Sequence, residues 1–397
     1  MIKRDQAIAL DQQDPLASYR ERFVIDDPDL LYLDGNSLGR LPQATIAEVQ
    51  RVVVEEWGQG LVGSWRGNWM AEPARIGATL APLIGARSDE VLITDQTSVN
   101  VYKLAAAALK AQAPRGTVLT DSGNFPSDIY VLAGAAEAAG GSIRMVGADP
   151  VAPSTTAVEA ALDEQVGLVS LSHVNFKSGA LLDMASITRA AHAVGALTLW
   201  DLSHSVGAVP IDLGGAGVDL AVGCTYKYLN GGPGAPAFVY VAKHLQEKLT
   251  QPIHGWWGQE DMFDFGLTYH PSPGIERFSV GTVPVLSMIG SRVGIQVSAE
   301  AGIDAIREKG IALTSLIVDL FDELPDDYGF ELGSPRVPAQ RGNHVSLRHP
   351  DGYRIDQALI AAGVVPDFRA PDVIRLGAAP LYTRFVDVWD AFERLRR

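Results

Sequence analysis

The sequence predicts an α/β fold: a mostly parallel sheet in a large domain, with a smaller α+β domain after it. Three observations carry that reading. Between about residues 91 and 241, short apolar runs alternate with longer Ala- and Leu-rich stretches. The apolar runs show little internal alternation of polarity, as strands buried on both faces do. After Thr282-Val283-Pro284 the rhythm changes to long helical stretches with isolated strands.

The elements follow in order. The strand candidates are residues 91–94, 117–120, 143–146, 167–172, 197–201, 220–223 and 237–241. Helices are expected between them at 99–111, 129–139, 158–163 and 187–194. Beyond Pro284 the pattern gives a helix over 286–308, a second over 312–323 and a strand at 345–348. A helix near 355–362, a strand at 373–376 and a last helix from Phe385 complete the chain. The segment before about Gly60 lacks a sheet of its own and reads as an arm across the other parts. The expected division is an arm at 1–60 packing with the small domain, a large domain at 61–285 and a small domain at 286–397.

Composition narrows the function classes. The 397 residues are 47% hydrophobic and 20% charged, ordinary for a folded chain. Thirty-two basic against 47 acidic residues give a net charge of −15, unsuited to coating nucleic acid or an anionic membrane. An anionic ligand must therefore be held by local donors. The single cysteine, Cys224, excludes an intrachain disulfide and a four-cysteine zinc site, and fits a reducing cytoplasm. No apolar h-region follows the first basic residues and no apolar run approaches about 18 residues, so neither a signal peptide nor a membrane helix is expected.

In open α/β sheets, ligands sit beyond the carboxyl ends of the strands. Five segments draw attention. Lys227, in Thr225-Tyr226-Lys227-Tyr228-Leu229-Asn230-Gly231-Gly232-Pro233-Gly234, follows an apolar strand. Partly desolvated among aromatics, its amine is suited to a Schiff base, although a turn lysine at the surface has the same local sequence. Asp201, in Trp200-Asp201-Leu202-Ser203-His204, ends a central strand 26 positions earlier. A carboxylate there needs a cation or donors, or serves as a helix cap. That spacing matches pyridoxal phosphate enzymes, whose aspartate pairs with the pyridine nitrogen. Asp95-Gln96-Thr97-Ser98 opens a helix, where backbone N–H groups bind phosphate or are simply capped. Arg277 to Pro284 joins the two domains, as a phosphate-approaching turn or an ordinary one. Arg375, inside an apolar strand, needs a carboxylate, from a substrate or from an acid elsewhere in the chain. Four of the seven tryptophans fall in two loops, 63–69 and 252–258, enough aromatic surface to wall a flat ligand.

Together these segments resemble the kynureninase family, in the class V aminotransferase branch of fold type I. The resemblance runs from Leu31 to Trp389. It rests on Leu33-Asp34-Gly35-Asn36-Ser37-Leu38-Gly39, on Trp57-Gly58 followed by Ser64-Trp65, and on Asn124-Phe125-Pro126-Ser127-Asp128. Ser172-His173-Val174-Asn175-Phe176-Lys177-Ser178-Gly179, the Trp200–Ala208 run, the Lys227 run and Arg375 with Pro380-Leu381-Tyr382 extend it.

The resemblance implies pyridoxal 5′-phosphate carried on Lys227, Asp201 at its ring nitrogen, His204 beside it and Phe125 stacked on it. It implies a phosphate held by Gln96, Thr97 and Tyr226, with Ser127 and Asp128 in the same binding segment. Trp256 and Thr282 would reach the phosphate of a neighbouring subunit, so the active site would be shared across a homodimer. Arg375 would take the amino acid carboxylate, and Ser37 and Trp65 the aryl group. The implied reaction is hydrolysis of L-kynurenine to anthranilate and L-alanine, and the sequence leaves 3-hydroxykynurenine open as a second substrate. This belongs to tryptophan breakdown or NAD biosynthesis. Lys227, Tyr226 and Asp201 would be the catalytic groups, without a metal. Two departures stand out: Gln96 replaces an expected small hydroxyl residue, and Trp257 follows Trp256 where relatives often carry Phe.

Within the same branch, a cysteine desulfurase needs a nucleophilic cysteine on a loop well after the lysine, whereas Cys224 precedes Lys227. A class V aminotransferase needs the same Lys, Asp and Arg and is the alternative. A non-catalytic regulator would carry an added partner-binding segment, and none is left over.

Overall fold

The structure is a computed structural model that describes residues 2–147, 151 and 154–397. Its thirteen strands are β1 Leu31–Tyr32, β2 Val91–Ile93, β3 Thr117–Asp121, β4 Ser142–Val146, β5 Val166–Ser172, β6 Leu197–Asp201, β7 Leu220–Gly223, β8 Phe238–Val241, β9 Glu331–Leu332, β10 Val345–Arg348, β11 Val364–Val365, β12 Asp367–Arg369 and β13 Val373–Leu376. Its α-helices are α1 Arg4–Gln12, α2 Gln43–Arg51, α3 Glu72–Leu80, α4 Thr97–Gln112, α5 Pro126–Ala138, α6 Thr155–Ala160, α7 Met184–Ala193, α8 Lys243–Gln246, α9 Val285–Ala301, α10 Ile303–Asp322, α11 Gly352–Ala361 and α12 Phe385–Leu395.

The seven strand candidates between 91 and 241 form one sheet in the order β2-β8-β7-β6-β5-β3-β4. Pairing is parallel from β7 through β6, β5 and β3 to β4, and only β8 runs antiparallel to its neighbours. Strands β5, β7 and β8 are buried throughout, which is why they carry unbroken apolar runs, while the edge strand β4 is largely open. Helix α4 lies along β5 to β8 and packs on α5, and α6 and α7 form a second pair with α7 on β6. In register, Asp201 lies beside Ser172 on one side and Val222 on the other, so the carboxyl ends of β5, β6 and β7 open together.

A second core holds Leu313, Leu316, Ile317, Val345, Leu347, Leu376, Val388 and Phe392, and it includes Ala7, Leu31 and Leu33 from the arm. The antiparallel sheet β12-β13-β10-β9 lies here, and β1 pairs in parallel with β11, Leu31 opposite Val364. Helix α12 buries Phe385, Val386, Val388, Ala391 and Phe392, the spacing of one apolar face.

The helices after Pro284 divide at a different place from the expected break between 308 and 312. The chain turns at Gly302, whose φ of +79° lies in the left-handed region that favours glycine. Helix α10 then runs unbroken through 308–312, because Lys309 and Gly310 are both buried within it. Helices α4, α5, α6, α7 and α11 all begin two to three residues before their expected starts.

Beyond β1 the arm crosses to the large sheet. Gly35 N–H donates to Gly377 O at 3.1 Å, and Gly39 N–H donates to Tyr226 O at 2.8 Å. A Cβ on Gly39 would stand 2.3 Å from the Lys227 carbonyl oxygen, so only glycine permits this approach.

Candidate active site

A cavity of about 320 Å³ opens at the carboxyl ends of the parallel strands. Its lining includes Gln96, Thr97, Phe125, Ser127, Asp128, Asp201, His204, Tyr226 and Lys227, nine of the residues expected from sequence. Ser98, Ser203, Gly234, Ala235 and Ala237 complete it. Asp201 ends β6, Ser203 and His204 follow it, and Tyr226 and Lys227 follow β7, whereas Thr97, Ser98, Ser127 and Asp128 lie in the first turns of helices. Helices α4 and α5 both begin at this rim, at Thr97 and Pro126. The hydroxyls of Ser98 and Ser127 meet at 2.9 Å, joining the two helix starts.

The opening-turn N–H groups of a helix lack intrahelical acceptors, and its positive dipole end favours an anion. The rim therefore suits phosphate without a lysine. A network holds the turn that presents Phe125. Ser172 Oγ donates to Asn124 Oδ1 at 2.7 Å, Phe125 N–H to the same oxygen at 2.8 Å, and Asn175 Nδ2 to Gly123 O at 3.0 Å.

Asp201 is buried, and its Oδ1 accepts from Ser203 N–H at 2.9 Å and Ser203 Oγ at 2.6 Å. Asp128 faces it. Burial first, and then the charge of Asp201, push the Asp128 carboxyl well above the usual carboxylate range. Lys227 Nζ lies 2.9 Å from His204 Nε2. Burial, with Lys227, Arg375 and His344 nearby, drives His204 well below its ordinary value, so the imidazole is neutral. A neutral ring beside the lysine leaves the amine free of a competing cation. The Tyr226 hydroxyl is pushed upward, chiefly by the neighbouring Cys224 thiol and then by burial, so it stays protonated. Cys224 itself is buried, and burial raises its thiol.

The donor set fits pyridoxal phosphate: an amine for the aldehyde, a buried carboxylate for the ring nitrogen, Phe125 and His204 for the ring, and helix starts for the phosphate. When bound, that group supplies an electron sink for electrons released at a substrate's Cα.

The remaining expected residues lie elsewhere. Arg375, 1% exposed, stands in β13 between β10 and β12. Its Nη1 donates to Phe176 O at 2.6 Å and its Nη2 to Ser37 Oγ at 3.0 Å, and it forms an ion pair with Asp367. Phe176 meets Phe125 edge-on at 5.3 Å, so the guanidinium is one residue behind the cavity wall. Ser37 thus stands against Arg375 and off the cavity lining. The two aromatic segments, expected as loops, are partly helical, with helical turns at Trp65–Trp69 and Trp256–Gly258, and they meet: Trp65 contacts Trp69 at 4.9 Å and Trp257 at 5.8 Å, and Trp257 contacts Trp256 at 5.4 Å. Trp256 and Thr282 are exposed and do not line the cavity.

Asp367 and Ser98 escaped the sequence reading. For Asp367 the signal was an acid two positions before an arginine, Asp367-Phe368-Arg369, but only the β12–β13 register sets it opposite Arg375. Ser98 was visible as a capping residue; its partnership with Ser127 was not.

The family model for the kynureninase C-terminal domain matches residues 306–395. A kynureninase of Burkholderia mallei strain SAVP1 is 47% identical over 403 residues, covering 100% of this chain and 95% of that protein. One of Pseudomonas fluorescens is 44% identical over 402 residues with the same coverage. Among solved structures, a cysteine desulfurase of Thermococcus onnurineus NA1 superposes with a TM-score of 0.81 at 17% identity, covering 96% of each chain. At that identity the likeness speaks for a shared fold alone. The identity over the full length speaks for more: the chain belongs to the kynureninase family.

Proposed function

We propose that this chain hydrolyses L-kynurenine to anthranilate and L-alanine, with pyridoxal 5′-phosphate as its cofactor. Full-length identity of 44–47% to kynureninases carries this reading, together with a cavity that gathers Lys227, Asp201, His204 and Phe125. In the reaction water adds to the side-chain carbonyl and the Cβ–Cγ bond breaks. The hydroxyl stays on Cγ as part of the anthranilate carboxylate, and a proton arrives at Cβ.

In this reading Lys227 holds the cofactor and moves the proton at Cα, with neutral His204 keeping its amine oriented. Asp201, fixed by two bonds from Ser203, holds the ring-nitrogen proton. Tyr226, kept protonated, donates at the later protonations. Gln96, Thr97 and Ser127 form the phosphate-side rim, Asp128 of the same segment faces Asp201, and Arg375 takes the substrate carboxylate. Ser37 and Trp65 belong to the substrate side, with Ser37 acting through Arg375.

We further propose a homodimer in which Trp256 and Thr282 complete the neighbour's phosphate site; their exposure, off their own cavity, favours it. We also read a division at 1–60, 61–285 and 286–397: a core on the large sheet and a core on the small sheet support it, while Met288 and Ile295 of α9 belong to the large core and a third cluster joins Leu16 and Phe23 of the arm to Tyr228 and Tyr382. No helix among the described residues is long and apolar enough to cross a membrane, and a lone reduced cysteine suits the cytoplasm.

The test mixes the purified chain with pyridoxal phosphate and L-kynurenine and follows anthranilate fluorescence, with Lys227→Ala as the blank. Anthranilate release that requires Lys227 is expected. Amino transfer to a keto acid without anthranilate would replace this reading with an aminotransferase.

A further inference from the structure

Arg375 carries a carboxylate already. Its ion pair is with Asp367 Oδ2, directly opposite it in the β12–β13 register. The same oxygen lies 3.0 Å from Arg369 Nη2 and 3.3 Å from Ser37 Oγ. The Nε of Arg375 is buried and has no partner. A carboxylate that docks side-on to a guanidinium uses Nε and Nη2 together. Asp367 therefore makes half of that fork and leaves the other half open.

The arrangement solves one problem and creates another. A guanidinium 1% exposed cannot stand unpaired in an empty site, because it cannot shed its charge. Asp367 neutralises it there. An incoming carboxylate that takes the Nε–Nη2 edge must then push Asp367 aside, since two carboxylates on one guanidinium edge repel. Arg369 already shares that carboxylate and can keep it when Arg375 lets go, and at 39% side-chain exposure its guanidinium has room to follow.

We propose that Asp367 is a resident stand-in for the substrate's α-carboxylate, released onto Arg369 when the substrate takes Arg375. This rests on the proposed function and names what sets the threshold for substrate entry. Binding becomes an exchange of one carboxylate for another. Ligands that lack a carboxylate cannot complete it, and those that have one pay a fixed displacement cost.

The exchange predicts opposite effects from the two partners. In the pyridoxal phosphate-loaded chain, Asp367→Asn removes the competitor, so the KM for L-kynurenine should fall about three- to tenfold with kcat little changed. Arg369→Gln removes the alternative partner, so KM should rise by a similar factor, and Arg369→Lys should restore most of it. The dissociation constant of L-alanine, measured by calorimetry, should move in the same directions. A purely structural Asp367 would give the reverse sign, with Asp367→Asn raising KM and weakening L-alanine; that result, or no change in either variant, overturns the proposal. If Asp367→Asn does not fold, equal KM values for Arg369→Gln and Arg369→Lys overturn it instead. A wild-type chain that fails to turn over L-kynurenine would defeat the proposed function, while the ordering of L-alanine affinities would still decide the role of Asp367.

Discussion

The wall around Lys227 and the pocket around Arg375 hold their charges by different means. At Lys227 the polar groups hang from the ends and following turns of strands in one sheet, and local bonds fix them, as Ser203 fixes Asp201. At Arg375 two partners arrive from distant stretches, Ser37 from the arm and Phe176 from the turn after β5, and the third, Asp367, from the neighbouring strand β12. The first site is built by one sheet and the bonds local to it. The second is assembled from pieces that must each dock, and it carries a movable carboxylate. Chemistry needs fixed geometry, whereas substrate admission needs a part that gives way.

The largest expected effect sharpens the first half of the comparison. Lys227→Ala should lower kcat by about 10⁴-fold or more, as loss of a residue acting within a catalytic unit does. Circular dichroism should remain native; activity above a tenth of wild type would remove Lys227 from the chemistry. Tyr226→Phe should slow turnover by about 10²- to 10³-fold with little change in KM. Its failure to do so would move the later proton donor to another group.

Arg375→Lys breaks the second half. A lysine cannot offer the planar fork, so KM should rise about 10- to 100-fold while kcat changes less. Equal losses in kcat and kcat/KM would show that the guanidinium acts on the transition state rather than on admission.

The smallest effect concerns stability. Burial pushes the Asp121 carboxyl at the end of β3 up to about 6, opposed only in part by the N–H groups of Gly123 and Asn124. The folded chain keeps that proton up to about pH 6, whereas the unfolded chain releases it near pH 4. Across that window the folded state binds more protons, so this group's contribution falls as pH rises and levels off above it. Asp121→Asn should remove up to about 3 kcal/mol of the change in unfolding free energy between pH 4 and pH 7. Denaturant unfolding at both pH values checks it; an unchanged difference would mean that Asp121 titrates as in water.

The same contrast explains what was legible in the sequence. All seven strands of the large sheet were visible, because burial on both faces leaves unbroken apolar runs and the helices between them supply the contrast. The cavity followed, since Asp201 and Lys227 are unusual residues at strand ends and the ligand position of such sheets is general. Register is not written in a run of apolar residues. Hence Arg375 was recognised as needing a carboxylate, but Asp367 could not be named. The break at Gly302 was missed for a related reason: a glycine inside a helical pattern is a stop or a tolerated residue depending on its φ, which tertiary packing sets. The exposed placement of Trp256 and Thr282 is a property of folded surface and has no sequence signature.

The crossing of the arm at Gly39 has a consequence for biogenesis. The stretch that touches the Lys227 turn emerges early from the ribosome, yet its strand partner, Leu31 opposite Val364, is made near the end. An early-made stretch thus waits for a late-made partner. The large sheet can form during translation, but the arm beneath the lysine gains its β1 pairing only once Val364 has left the exit tunnel. A nascent or C-terminally truncated chain would hold every group of the Lys227 wall and still lack a finished floor.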